Sequence, residues 1–145
     1  MKKKINNFLK SFLMVTGIII VIVIFSVAIA IDIANAADPI NGQKVFKKCV
    51  ACHSLQEGKN KIGPSLYNLL DRKIGSVEGY RYSKAMKNFG DPSTVHFFVY
   101  SVWDEESLDK FLTKPRKFIP KTKMAFRGIK NKSLRDDLIS FLKQL

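Results

Sequence analysis

Cys49-Val50-Ala51-Cys52-His53 sets two thiols three positions apart with an imidazole directly after the second. C-x-x-C-H is the attachment signature of a c-type haem. Two thiols at this spacing can each add to one vinyl group of the porphyrin, and the adjacent imidazole then lies under the iron as its proximal ligand. The stretch therefore predicts one covalently bound haem c per chain, held by Cys49, Cys52 and His53, and a small fold wrapped around it. Other uses of the same residues fit less well. A zinc site needs four ligands, and beyond these three only His96 offers another imidazole or thiolate, with no second C-x-x-C. A thioredoxin-like dithiol wants a βαβ surround that the helical pattern does not provide. Two cysteines in all cannot build a disulfide framework.

A haem with one histidine needs a second axial ligand or an open face, and that choice separates an electron carrier from a catalytic or ligand-binding site. Beyond residue 36 the remaining donors are Met86, His96 and Met124. Met86 sits in the middle of a short helical segment and reads as core filling. His96 reads as a hydrogen-bonded loop residue. Met124 follows Ile119-Pro120-Lys121-Thr122-Lys123, a proline-containing extended stretch able to fold back over the opposite haem face. The expected iron ligands are thus His53 and Met124.

The rest of the 145 residues agrees with one small helical domain behind an apolar leader. Residues 12–31 carry no charge, and Lys2, Lys3, Lys4 and Lys10 precede them. A 20-residue helix reaches about 30 Å, the thickness of a bilayer's hydrocarbon core. Ala34-Asn35-Ala36 follows with the small-x-small pattern of a cleavage site. Residues 1–36 are therefore expected to be a signal peptide or an uncleaved transmembrane anchor, and residues 37–145 an exported domain on the periplasmic side of a bacterial inner membrane. Asp38-Pro39 reads as a helix start running through Val45 and Phe46 towards Cys49. Residues 64–70 and 83–88 read as short helices, and Asp104 caps another that Pro115 ends. Ser133 and Asp136 have capping-box spacing before Leu134, Leu138, Phe141, Leu142 and Leu145, which recur on one helical face. Only the region 95–102 looks strand-like. The fold class is all-α.

Beyond C-x-x-C-H, further motifs lie in order along the chain: GQKVFKKCVACH at 42–53, GPSL at 63–66, DRKIG at 71–75, GYRYS at 79–83, Trp103, and KPRKFIPKTKMAF at 114–126. Together they resemble class I cytochrome c of the mitochondrial and alphaproteobacterial type, over about residues 38–145. The resemblance implies thioether links at Cys49 and Cys52 and axial ligation by His53 and Met124. It implies that the Pro64 carbonyl holds the proximal imidazole, that Arg72, Tyr82, Trp103 and Thr122 bind the haem propionates, and that Gly42 and Phe46 meet Leu138 and Phe141 where the first and last helices cross. It also implies a one-electron carrier, not an enzyme, passing electrons from a cytochrome bc complex to a haem-copper oxidase. Three residues depart from the family pattern. Phe111 replaces a tyrosine that bonds the methionine sulfur, Lys121 replaces the glycine after the loop proline, and Met86 replaces an asparagine near the haem. These departures keep open an alternative, a haem peroxidase or ligand-binding sensor with labile methionine ligation. Against that family pattern residues 91–102 form an insertion whose His96, Phe97, Phe98 and Tyr100 read as a packing flap, with a docking surface as the alternative.

Charge points to the partners. There are 25 Lys and Arg against 12 Asp and Glu, a formal net charge of +13. Lys44, Lys47 and Lys48 flank the first thioether position, and Arg116, Lys117, Lys121 and Lys123 flank Met124. Cations beside both ends of the haem site steer acidic redox partners. Export separates the domain from nucleic acid, and the carrier is expected to be a monomer.

Overall fold

A computed structural model describes residues 13–25, 36–91, 93–94 and 101–145. The chain divides into two compact units, Met1–Ala36 and Ala37–Leu145. In the first, residues 13–25 form helix α1, with large exposed apolar side chains from Leu13 to Phe25. At 1.5 Å per residue the described residues 13–25 account for about 20 Å of the roughly 30 Å that a span needs. Among the described residues no helix is long and apolar enough to cross a membrane, so the expected spanning helix is not supported there. Residues 12 and 26–31 of the apolar run, with Ala34 and Asn35, lie outside the described residues.

The second unit is helical, with no strand among the described residues and a single isolated antiparallel bridge between Lys73 and Val102. Helix α2 (Pro39–Phe46) opens with Asp38 accepting the Ile40 N–H and proline in the first turn. Ser83 caps α3 (Lys84–Phe89) through the Met86 N–H. Asp104 caps α4 (Glu105–Thr113) through the Ser107 N–H, and Glu105 and Glu106 place negative charge in its first turn. Pro115 ends α4 and opens the short α5 (Pro115–Phe118).

Two expected elements differ. The last helix, α6 (Lys132–Leu142), is capped by Asn131, whose side chain accepts the Leu134 N–H at 3.2 Å, so Ser133 lies inside the first turn. Residues 64–70 form turns and not a helix. Their backbone groups are committed elsewhere: the Pro64 carbonyl to His53, the Ser65 and Tyr67 carbonyls to Arg72, the Leu66 N–H to the Ser54 carbonyl. Asn68 is also left-handed, with φ +48°. Of the strand-like region, residues 95–100 lie outside the described residues, and with them His96, Phe97, Phe98 and Tyr100.

The crossing of α2 and α6 is the central packing event, as the resemblance implied. Gly42 lies so close to α6 that a Cβ there would stand 1.9 Å from the Asp137 carbonyl oxygen and 2.8 Å from Phe141 Cβ. Phe46 packs on Phe141 with ring centroids 5.7 Å apart, and Leu138 is fully buried. The buried Asp137 carboxylate accepts the Asp38 N–H at 2.8 Å and the Asn41 amide at 2.6 Å, fastening the start of α2 to α6. Arg135 meets Asp109 at 2.7 Å and ties α6 to α4. Anchored at its start and along its length, α2 delivers the C-x-x-C-H stretch at its end.

Candidate functional site

Directly after α2 the chain winds into tight turns. Cys49 N–H donates to the Phe46 carbonyl at 2.7 Å, Cys52 N–H to Cys49 at 3.0 Å, and His53 N–H to Cys49 at 2.9 Å. Both cysteines are free and half-buried, and His53 is buried. His53 Nδ1 lies 2.8 Å from the Pro64 carbonyl oxygen. A carbonyl only accepts, so Nδ1 carries the proton and Nε2 keeps its lone pair for a metal. Burial pushes the His53 pKa below the ordinary imidazole value. The Pro64 bond opposes this, while the Arg72 and Lys61 charges reinforce it. A neutral imidazole is the form that ligates iron.

Burial, helped by the neighbouring Cys52 and opposed by Lys48, pushes the Cys49 thiol up to about 11. That is the reverse of what a dithiol exchange centre requires, since such centres lower the pKa of the attacking thiol. A Cys49 thiol kept from exchange chemistry, a fixed His53 tautomer and a free Nε2 fit a covalently attached haem.

The segment 60–65 closes against the motif. Gly63 N–H donates to the Cys52 carbonyl at 2.7 Å, and Lys61 Nζ donates to the Val50 carbonyl at 2.8 Å. A Cβ on Gly63 would stand 2.3 Å from His53 Cε1 and 2.8 Å from Nε2, so the imidazole seats where only glycine leaves room. Sequence reasoning passed over the roles of Gly63 and Lys61. The sole signal was the position of Gly63 before Pro64.

Three of the four residues expected around the propionates converge. A short antiparallel contact joins the backbones of Arg72 and Trp103, with Trp103 N–H donating to the Arg72 carbonyl and Asp71 N–H to that of Trp103, each at 3.0 Å. The Arg72 guanidinium donates through Nη1 to the Tyr67 carbonyl and through Nη2 to the Ser65 carbonyl, both at 2.8 Å. Burial raises the Tyr82 pKa, with an N–H from Val77 and the nearby Arg72 charge opposing. Buried Trp103 packs on Phe111 at 4.9 Å. Thr122 stands apart from this group in its bonding: it is buried in the methionine loop, where its Oγ1 accepts the Met124 N–H at 3.3 Å.

Met124 is half-buried against the core, whereas Met86 is buried within it. Lys123 Nζ donates to the Arg81 carbonyl at 3.3 Å and pins the Met124 loop to the segment bearing Tyr82. Phe111, at the position of the missing tyrosine, lies between Trp103 and Phe118. Lys44, Lys47, Lys48, Lys117, Lys121 and Lys123 are all exposed.

Among known families, Cytochrome c matches residues 40–145. The chain belongs to the cytochrome c family. It is 44% identical over 110 residues to cytochrome c2 of Rhodoblastus acidophilus, covering 75% of this chain and 94% of that one. It is 45% identical over 109 residues to cytochrome c of Euglena viridis, covering 74% and 97%. Cytochrome cH from Methylobacterium extorquens superposes with a TM-score of 0.65 at 35% identity, covering 75% of this chain and all of that one. This c-type cytochrome is accordingly an electron carrier, not an enzyme, and binds one covalent haem c at the Cys49–His53 motif. The family sets the peroxidase alternative aside.

Proposed function

We propose that this cytochrome carries single electrons between respiratory membrane complexes on the periplasmic side of a bacterial membrane, with His53 and Met124 as its axial ligands. The donor is a cytochrome bc complex and the acceptor a haem-copper oxidase. The bound haem supplies the one-electron ferric/ferrous couple.

The observation that carries the reading is the state of His53. Its Nδ1–H is fixed on the Pro64 carbonyl, its ring is seated against Gly63, and its Nε2 is left to ligate. A ligand held this way keeps one geometry in both redox states, which suits electron transfer. Met124 is the half-buried methionine of a loop pinned through Lys123, and a thioether opposite an imidazole raises the potential. Arg72, Tyr82, Trp103 and Thr122 would hold the propionates. The exposed lysines at positions 44, 47, 48, 117, 121 and 123 would meet acidic surfaces on the partners. Their charge favours fast encounter, and their solvation keeps each complex short-lived.

The test is an optical spectrum and redox titration of the matured protein, repeated with Met124→Ala. The parent should show a low-spin haem with the far-red sulfur-to-iron band. The variant should lose the band and fall in potential by about 100 mV or more, since axial ligand identity is among the strongest settings of haem potential. An unchanged spectrum would remove Met124 from the iron.

A further inference from the structure

The segment Ile119-Pro120-Lys121-Thr122 closes on itself, with the Thr122 N–H donating to the Ile119 carbonyl at 3.2 Å. Pro120 holds the second position of this turn, and Lys121, at φ +65°, holds the third. A proline followed by a left-handed residue inside such a bond is the pattern of a type II turn, whose third position favours glycine. Among the described residues the non-glycine positions with positive φ are Asn68, Asp71 and Lys121. Asn and Asp visit this region readily, because a short polar side chain can bond the nearby backbone. Lysine has no such relief, and its Cβ crowds the following carbonyl.

The ends of the turn hold Lys121 there. Ile119 is 1% exposed, and Pro115 at the start of α5 accepts its N–H at 2.9 Å. Thr122 is buried and accepts the Met124 N–H. Lys123 is tied to the Arg81 carbonyl. The strain is therefore imposed by fixed neighbours on both sides, and the strained residue lies three positions before Met124.

We propose that Lys121 is a positioning residue that keeps the Met124 loop under backbone strain, so that Met124 yields to a small neutral nitrogen donor more readily than it would with glycine at 121. The inference rests on Met124 being the second axial ligand. In the exchange the sulfur–iron bond breaks and a nitrogen–iron bond forms from the donor's lone pair, with no change of oxidation state. Lifting the loop lets Lys121 return to an ordinary backbone conformation, and the strain released favours the lifted state. One left-handed residue of this kind corresponds to about a five- to thirtyfold change in the ratio of seated to lifted loop.

Imidazole is the probe. It is titrated against the ferric holoprotein of the parent and of Lys121→Gly, Lys121→Ala and Met124→Ala, following the far-red band and the main haem absorption. Lys121→Gly should weaken imidazole binding about five- to thirtyfold. Lys121→Ala should stay within about twofold of the parent, because alanine keeps a Cβ in the left-handed region and loses only the charge. Equal affinity in the parent and Lys121→Gly overturns the proposal. So does equal weakening by glycine and alanine, which would assign the effect to charge. Met124→Ala separates the two readings. A far-red band that is absent from the parent, or retained in Met124→Ala, removes Met124 from the iron and the inference with it. A band lost in Met124→Ala, with no difference between Lys121→Gly and the parent, rejects the strain alone.

Discussion

At the scale of the residue, the tightest constraint in the haem site falls on Gly63. Its position lets the imidazole of His53 rest against bare backbone while the next residue's carbonyl takes the Nδ1 proton. Gly63→Ala must displace either the ring or the segment 60–65, both held by hydrogen bonds to the motif. The expected cost is about 1–3 kcal/mol of holoprotein stability, the usual range for forcing a methyl into a packed site. Thermal unfolding checks the cost, and a change in potential or in the ligand-field spectrum shows that the ring itself has moved. A loss of stability with an unaltered spectrum would confine Gly63 to packing. The cysteines and histidine could be read from sequence because haem attachment demands them at fixed, adjacent positions. Gly63 acts on a ring ten positions earlier, so its neighbour appears only once the chain has folded. The same holds for Lys61, whose bond to Val50 has no sequence spacing of its own.

At the scale of the element, the fold depends on how closely α2 approaches α6. Gly42→Ala directs a methyl into the Asp137 carbonyl, a backbone atom that no rotamer change can move. It should destabilise the domain by about 3 kcal/mol, at the severe end for overpacking. Gln43→Ala, one position along and exposed, should stay within about 0.5 kcal/mol. Chemical denaturation of both variants checks the contrast, and similar losses would refute the close-approach account. Most helix starts were legible, because Asp38, Ser83 and Asp104 are short polar residues at the head of apolar patterns. The start of α6 was misplaced by two residues because Asn131 competes with Ser133 for the same role, and local sequence does not rank them. The turns at 64–70 were read as helix because their composition permits one. What prevents it is tertiary: His53 and Arg72 take the carbonyls that a helical ladder would use.

At the scale of the whole molecule, charge is the property that sequence reports directly, and it bears on rate more than on stability. The net charge of +13 is not carried evenly. Much of the acid lies on α4 and α6, where Glu105 pairs with Lys143, Glu106 with Lys110, Asp109 with Arg135 and Asp136 with Lys132. The lysines after α2 and around the Met124 loop are exposed. Lys47→Glu combined with Lys117→Glu should therefore slow oxidation by a haem-copper oxidase about tenfold or more at low ionic strength. The deficit should shrink as salt rises, because the Debye length falls from about 30 Å at 0.01 M to about 10 Å at 0.1 M. The reduction potential should change little. Lys130→Glu supplies the control, since it reverses an exposed charge just before α6. It should slow the reaction less than Lys47→Glu or Lys117→Glu does alone. Stopped-flow kinetics across a salt series reads all of these at once. Equal slowing by Lys130→Glu would mean that the oxidase senses only net charge, and the assignment of a docking face to the lysines beside the haem site would then fall.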